Sequence, residues 1–225
     1  SITSPLVKGS SVSATTTNGD VDVDATMAAS GVTLTANTGN LQLGSVMTTS
    51  GPATLAAHGT SPAAGNIRLD SLTAGDGAVS LTATGDISGQ PTGPARANIA
   101  ANGTGNPITI TANSGSVLLG TVTAGAGTDT SPGNQITINA RAIDATSITA
   151  LNGGLLANAT AGPLKIDIGM VKTDATLTSG GEILLDNLTA GGAITGTAAT
   201  SITATTKIEA AGATMLTASN GSITS

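Results

Sequence analysis

Gly39-Asn40-Leu41-Gln42-Leu43, with Val46 three residues further on, is the stretch from which the fold can be read. The pattern is a small or polar residue, an aliphatic, any residue, a second aliphatic, and a third aliphatic a few positions later. It recurs along the chain. It reads Gly19-Asp20-Val21-Asp22-Val23 with Met27, Gly65-Asn66-Ile67-Arg68-Leu69 with Leu72, Gly115-Ser116-Val117-Leu118-Leu119 with Val122, and Gly181-Glu182-Ile183-Leu184-Leu185 with Leu188. Weaker copies begin at Ile2, Ile87, Ile143, Ile166 and Ile202, and a last one is cut off at Ile223. The anchors Ile2, Val21, Leu41, Ile67, Ile87, Val117, Ile143, Ile166, Ile183, Ile202 and Ile223 are spaced by 19, 20, 26, 20, 30, 26, 23, 17, 19 and 21 residues. A short basic period of this kind marks stacked repeats.

A second pattern alternates with the first. It reads Gly31-Val32-Thr33-Leu34-Thr35-Ala36, Gly77-Ala78-Val79-Ser80-Leu81-Thr82-Ala83, Pro107-Ile108-Thr109-Ile110-Thr111-Ala112 and Gln135-Ile136-Thr137-Ile138-Asn139-Ala140, with later copies at Ala175 and Ala213. Within both patterns the period is two, and the runs are short, β-branched and bounded by Gly or Asn, which is the signature of strands. Thr and Gly both disfavour helix interiors. Two or three strands per repeat, stacked in register, give an all-β fold: a parallel β-helix (β-solenoid) of about ten coils, on the order of 50 Å long. The longer spacings predict loop insertions at 58–64, 90–97, 125–133 and in parts of 151–162. Pro62, Pro91, Pro94 and Pro132 fall inside them, where a missing N–H is tolerated. Residues 1–225 form a single repeat domain, expected to be a fragment of a longer array, since no signal peptide is visible at Ser1.

Composition narrows the function. Among 225 residues there are about 40 Thr, nearly as many Ala and 31 Gly, and no Phe, Tyr, Trp or Cys. Disulfide and zinc-thiolate scaffolds need Cys. Base-stacking modules need aromatic platforms, and a net charge of -6 argues further against nucleic acid. No run of apolar residues is long enough to span a membrane as a helix. A two-layer core without aromatics lacks its usual bulky fillers, whereas the thin core of a solenoid needs only aliphatics.

The repeats around Gly39-Asn40-Leu41-Gln42-Leu43-Gly44-Ser45-Val46 and Gly181-Glu182-Ile183-Leu184-Leu185-Asp186-Asn187-Leu188-Thr189-Ala190-Gly191-Gly192 resemble filamentous-haemagglutinin repeats of two-partner-secretion exoproteins. The resemblance covers nearly the whole chain as a repeat style. It implies a right-handed β-helical stalk of a large Gram-negative adhesin, secreted or held at the cell surface, exported through an outer-membrane secretion transporter and serving adhesion or biofilm formation. The family's N-terminal secretion domain has no match here. The inserts and the lack of aromatics depart from a plain repeat array.

Residue chemistry points the same way. Asp20, Asp22 and Asp24 share a strand face and could face Ca²⁺, but Asp22 is expected in a column with Gln42 and Arg68, which offsets its charge. His58, the single His, sits among Gly and Pro in a loop, with no nucleophile elbow in the chain. The seven cations are scattered as Lys8, Arg68, Arg96, Arg141, Lys165, Lys172 and Lys207. No catalytic, cofactor or metal residues are therefore assigned, and the chain reads as a non-enzyme. A polysaccharide-active β-helix is the weaker alternative, because it needs clustered carboxylates. The pairs Thr33/Thr35, Thr109/Thr111, Thr176/Thr178 and Thr195/Thr197, with Ser80/Thr82 and Thr137/Asn139 in equivalent places, are expected to form two hydroxyl ladders on one flat face. Such a surface resembles the ice-binding face of β-solenoid antifreeze proteins. Ice or another crystalline surface, or lateral packing between rods, is the corresponding alternative; Thr on a half-exposed strand also simply suits the sheet. Self-association end to end is expected from open strand edges.

Overall fold

The computed structural model describes residues 1–59, 65–91, 93, 95–125 and 133–225. Among them all regular structure is β, and every pairing between strands is parallel. A typical coil holds one eight-residue strand and one five-residue strand, as in Leu41–Thr48 followed by Ala53–Ala57. The long strands stack into a sheet of 13 and the short ones into a sheet of 10. Ten coils are completed, and Ile223–Thr224 opens another.

The long strand is a bent one. In Val21–Ala28 the buried residues are Val21, Val23, Thr26 and Ala28, so the alternation slips by one between Val23 and Thr26. Two consecutive residues, Asp24 and Ala25, face outward, and a chain that does this turns a corner. The same slip recurs in Leu41–Thr48, Ile67–Ala74, Val117–Ala124 and Ile183–Ala190. Each coil therefore has three faces: the two halves of the long strand and the short strand.

This cross-section explains the composition. The first face carries the column Ile2, Val21, Leu41, Ile67, Ile87, Val117, Ile143, Leu164, Ile183, Ile202 and Ile223. The third face carries Leu34, Leu55, Leu81, Ile110 and Ile138 one above another. The strands end on Ala columns: Ala74, Ala101, Ala124 and Ala150 on the second face, and Ala36, Ala57 and Ala83 on the third. The corners take small side chains, mostly Ala with Thr16, Thr48, Val171 and Ser179 in the same columns, and the faces between corners hold one or two aliphatics, so an aromatic ring has no place. Where a large side chain is absent, a neighbouring coil fills in. Gly169 lies between Ile148 and Leu188, and Leu188 Cδ1 occupies the space its side chain would take.

Three details differ from the sequence reading. The eighth coil is anchored by Leu164, not Ile166, which sits two residues further on between Ala145 and Leu185. Both residues face inward on one short strand, so period-two patterning alone does not choose between them. With that register the spacings are 21 and 19, and residues 151–162 hold no insert: Leu155–Ala159 is an ordinary third-face strand paired on both sides. Met27 is 41% exposed; Thr26 takes its expected inward place at 1% exposure. The slip at the corner puts the inward position five residues after the anchor, where Val46 and Leu72 also stand.

The other loops follow expectation. The chain leaves the third face after Ala57 and returns at Asn66, leaves the first face after Ser88 and returns at Ala97, and leaves the second face after Ala124 and returns at Ile136. Residues 60–64 and 126–132, with Thr92 and Pro94, lie outside the described residues, and with them Pro62 and Pro132.

Tight stacking extends to the turns. Gly51 has φ +85°, and a Cβ there would strike the carbonyl oxygen of Ser30 in the coil before. Gly51→Ala is expected to destabilise the protein by about 2–3 kcal/mol, because it combines left-handed strain with a backbone collision. A urea melt reads this directly.

Candidate functional site

The outward residues of the third face form the ladders the sequence suggested. Along the ten-stranded sheet one column runs Ser13, Thr33, Thr54, Ser80, Thr109, Thr137, Leu156, Thr176, Thr195, Met215. The other runs Thr15, Thr35, Ala56, Thr82, Thr111, Asn139, Asn158, Thr178, Thr197, Thr217. Thr33, Thr35, Thr109, Thr111, Thr176, Thr178, Thr195 and Thr197 are all in these columns. The lattice is uneven. Leu156, 39% exposed, and Met215, 61% exposed, interrupt the first column, and Ala56 and an Asn pair interrupt the second. The longest unbroken run of hydroxyls in the first column is Ser13 to Thr137.

A second feature was not foreseen. Arg96, at the base of the loop that leaves the first face, reaches across the next coil. Its guanidinium grips Asp144 through two bonds, Nη1 to Oδ1 at 3.0 Å and Nη2 to Oδ2 at 2.9 Å, and Nη1 also donates to the Leu119 carbonyl at 3.1 Å. Lys165 completes the group, 3.1 Å from Asp167 and 3.9 Å from Asp144. The hydrogen bond that the Arg96 guanidinium donates to Asp144 holds it above its ordinary range, against a smaller opposing effect of burial. A cation whose pKa is raised on folding stabilises below its unfolded value and loses that only as pH passes the folded value. For Arg both lie above the working range, so the arginine side of the clamp does not titrate near neutrality. Arg96→Ala is expected to cost only about 1 kcal/mol, since both partners are partly solvated. Its clearer effect is on the loop: the Gly89 N–H, bonded to the Ala95 carbonyl at 3.1 Å, should exchange with deuterium faster.

Beside the clamp lies an open groove of about 300 Å³, lined by Leu118, Asp144, Pro163, Lys165, Glu182 and Leu184 among others. It marks the place where a third feature, a ladder of Asx side chains, ends. Just before four successive first-face anchors, Val21, Leu41, Ile67 and Ile87, a side-chain oxygen accepts a backbone N–H of the next coil. Asp20 accepts from Asn40 at 2.6 Å, Asn40 from Asn66 at 3.0 Å, Asn66 from Asp86 at 2.7 Å and Asp86 from Ser116 at 2.7 Å. Ala142 and Pro163 stand at the equivalent places in the next two coils, and neither side chain can continue the series.

The remaining candidates are placed as follows. Asp20 belongs to the Asx ladder, and Asp22 stacks on Gln42, which stacks on Arg68. Among the described residues no group of three or more His, Cys, Asp or Glu is arranged to hold a metal ion. His58 is exposed at the end of a third-face strand. No helix among the described residues is long and apolar enough to cross a membrane. Comparison with family models, curated proteins and solved structures finds no match to this chain.

Proposed function

We propose that the chain is a non-enzymatic stalk or filament module of a secreted cell-surface adhesin, of the filamentous-haemagglutinin style exported by two-partner secretion. The observation that carries this reading is the unbroken aliphatic column from Ile2 to Ile223, sealed by strand ladders along its whole length. Each coil buries its apolar side only against its neighbours, so the fold yields length and stiffness in proportion to the number of coils. The loops leave at three different places on the coil, after Ala57, Ser88 and Ala124, and the aliphatic column continues past each of them. A chain with 9% charged residues and no aromatic or Cys also suits export in an unfolded state and folding without oxidation.

Exchange of this segment for an unrelated β-helix of equal coil number tests the reading. In the secreted exoprotein, attachment to surfaces or cells should survive the exchange, while deletion should shorten the fibre by about 50 Å in electron micrographs. Loss of attachment on an equal-length exchange would show that this segment carries a binding site of its own.

The hydroxyl run from Ser13 to Thr137 favours a second reading, recognition of a crystalline surface such as ice. Thermal hysteresis of the purified chain that disappears in Thr109→Val/Thr111→Val would support it. Zero hysteresis would remove it and leave the ladders as ordinary cross-strand stacking.

A further inference from the structure

We infer that two rods dock side by side and antiparallel along the second face, with a second copy of this chain as the occupant. The two outward columns of that face carry no charge from the coil of Met27 to the coil of Thr189, whereas the first face carries Asp22, Arg68, Asp144 and Lys165. Met27, Met47, Ile168 and Met170 project from it, 41%, 47%, 48% and 53% exposed. Each of these coils has a neighbouring coil on both sides, so the strip is side wall whatever precedes or follows it. The two loops beside it meet the face at its edges, at Ala97 and Ala124.

One column of the face sets the register. It runs Lys8, Met27, Met47, Thr73, Ala100, Thr123, Thr149, Met170, Thr189, Glu209. A two-fold axis across the rods, between Ala100 and Thr123, lays this column on its own reverse. Met47 then meets Met170, with Ile168 beside it, and Met27 meets Thr189. The same axis sets Lys8 opposite Glu209, because Lys8 lies two coils from Met47 and Glu209 two coils from Met170. A two-fold contact makes each of these pairs twice. Within its own copy Lys8 has no ion-pair partner among the described residues, and Glu209 has Lys207.

Size and charge set the strength. The uncharged strip is about 34 Å long and about 10 Å wide, so pairing covers on the order of 700 Å² over both copies, the size of a weak, reversible contact. Between the methionine clusters the face is small and polar, and there bridging water completes the contact. Asp24 and Asp186 stand at the corner beside the face and approach each other at the rim of the pair. Each copy also carries a net charge of -6. Screening of this repulsion makes added salt strengthen the docking.

Sedimentation of the purified chain at concentrations up to about 1 mM tests this. A dimer that grows with concentration and with salt is expected. Met47→Lys should weaken it by about tenfold, and Met47→Lys combined with Met170→Glu should restore it, since the register sets the new charges opposite each other. Thr109→Lys, outward on the third face, should leave it unchanged. A mixture of Thr73→Cys and Thr149→Cys chains should join through a short bismaleimide more readily than either chain alone, because the axis brings these two positions together. A monomer at every concentration would overturn the inference. So would a dimer that Met47→Lys spares, that the double variant fails to rescue, that Thr109→Lys disrupts, or that cross-links no better in the mixture. The docking stands apart from the stalk reading: a rod that never pairs would refute it and leave the stalk untouched.

Discussion

Leu81→Asp is expected to remove at least 4 kcal/mol of stability, because an unpaired carboxylate would be forced into the bore. Leu81 is 0% exposed and stacks between Leu55 and Ile110. A solenoid coil draws its stability from the coils on either side, so a break here should also uncouple the two halves. Denaturation should then show two transitions where the parent shows fewer. Thr82→Asp, one residue on and facing outward, is the control and should change stability by less than about 1 kcal/mol. Equal losses at the two positions would mean that the strand's inward and outward faces have been exchanged.

Asn40→Ala has the next largest expected effect, about 1–3 kcal/mol, for a different reason. Asn40 is not part of the aliphatic column. Its side-chain oxygen accepts the Asn66 N–H at 3.0 Å and the Asn66 Nδ2 at 3.1 Å, while its own Nδ2 donates to Asp20 at 3.2 Å. Asn66 is 7% exposed, so water does not readily replace what Asn40 supplies. Hydrogen exchange should speed up at the Asn66 N–H. Asn113→Ala, in an exposed turn, should stay within about 0.5 kcal/mol of the parent. A loss at Asn40 no larger than at Asn113 would mean that the ladder contributes little beyond solvated turns.

How far the sequence could be read depended on the range of each interaction. Anchors such as Val21, Leu41 and Ile67 were legible because a coil repeats one local pattern, and local patterns survive in a linear text. Thr33, Thr109, Thr176 and Thr195 share a column for the same reason. Ile166 misled because Leu164 and Ile166 both point inward, and two aliphatics at period two carry no mark of which starts the coil. Met27 misled because the corner shifts the phase of alternation; the fixed offset at Val46 and Leu72 identifies Thr26. The Asx ladder had a sequence signal, since Asp20, Asn40, Asn66 and Asp86 each directly precede an anchor. The Arg96 clamp had none: 48 residues separate it from Asp144, and nothing local says that a loop base will bridge a coil.

A chain without Cys makes the coil stacking directly measurable. Spin labels at Thr33→Cys and Thr195→Cys sit on the same outward column in the second and ninth coils. Electron–electron dipolar spectroscopy between them should give a narrow distribution centred near 34 Å, seven coil steps of roughly 4.8 Å each. A short distance below about 20 Å, or the broad spread of an unfolded chain, would contradict the stack.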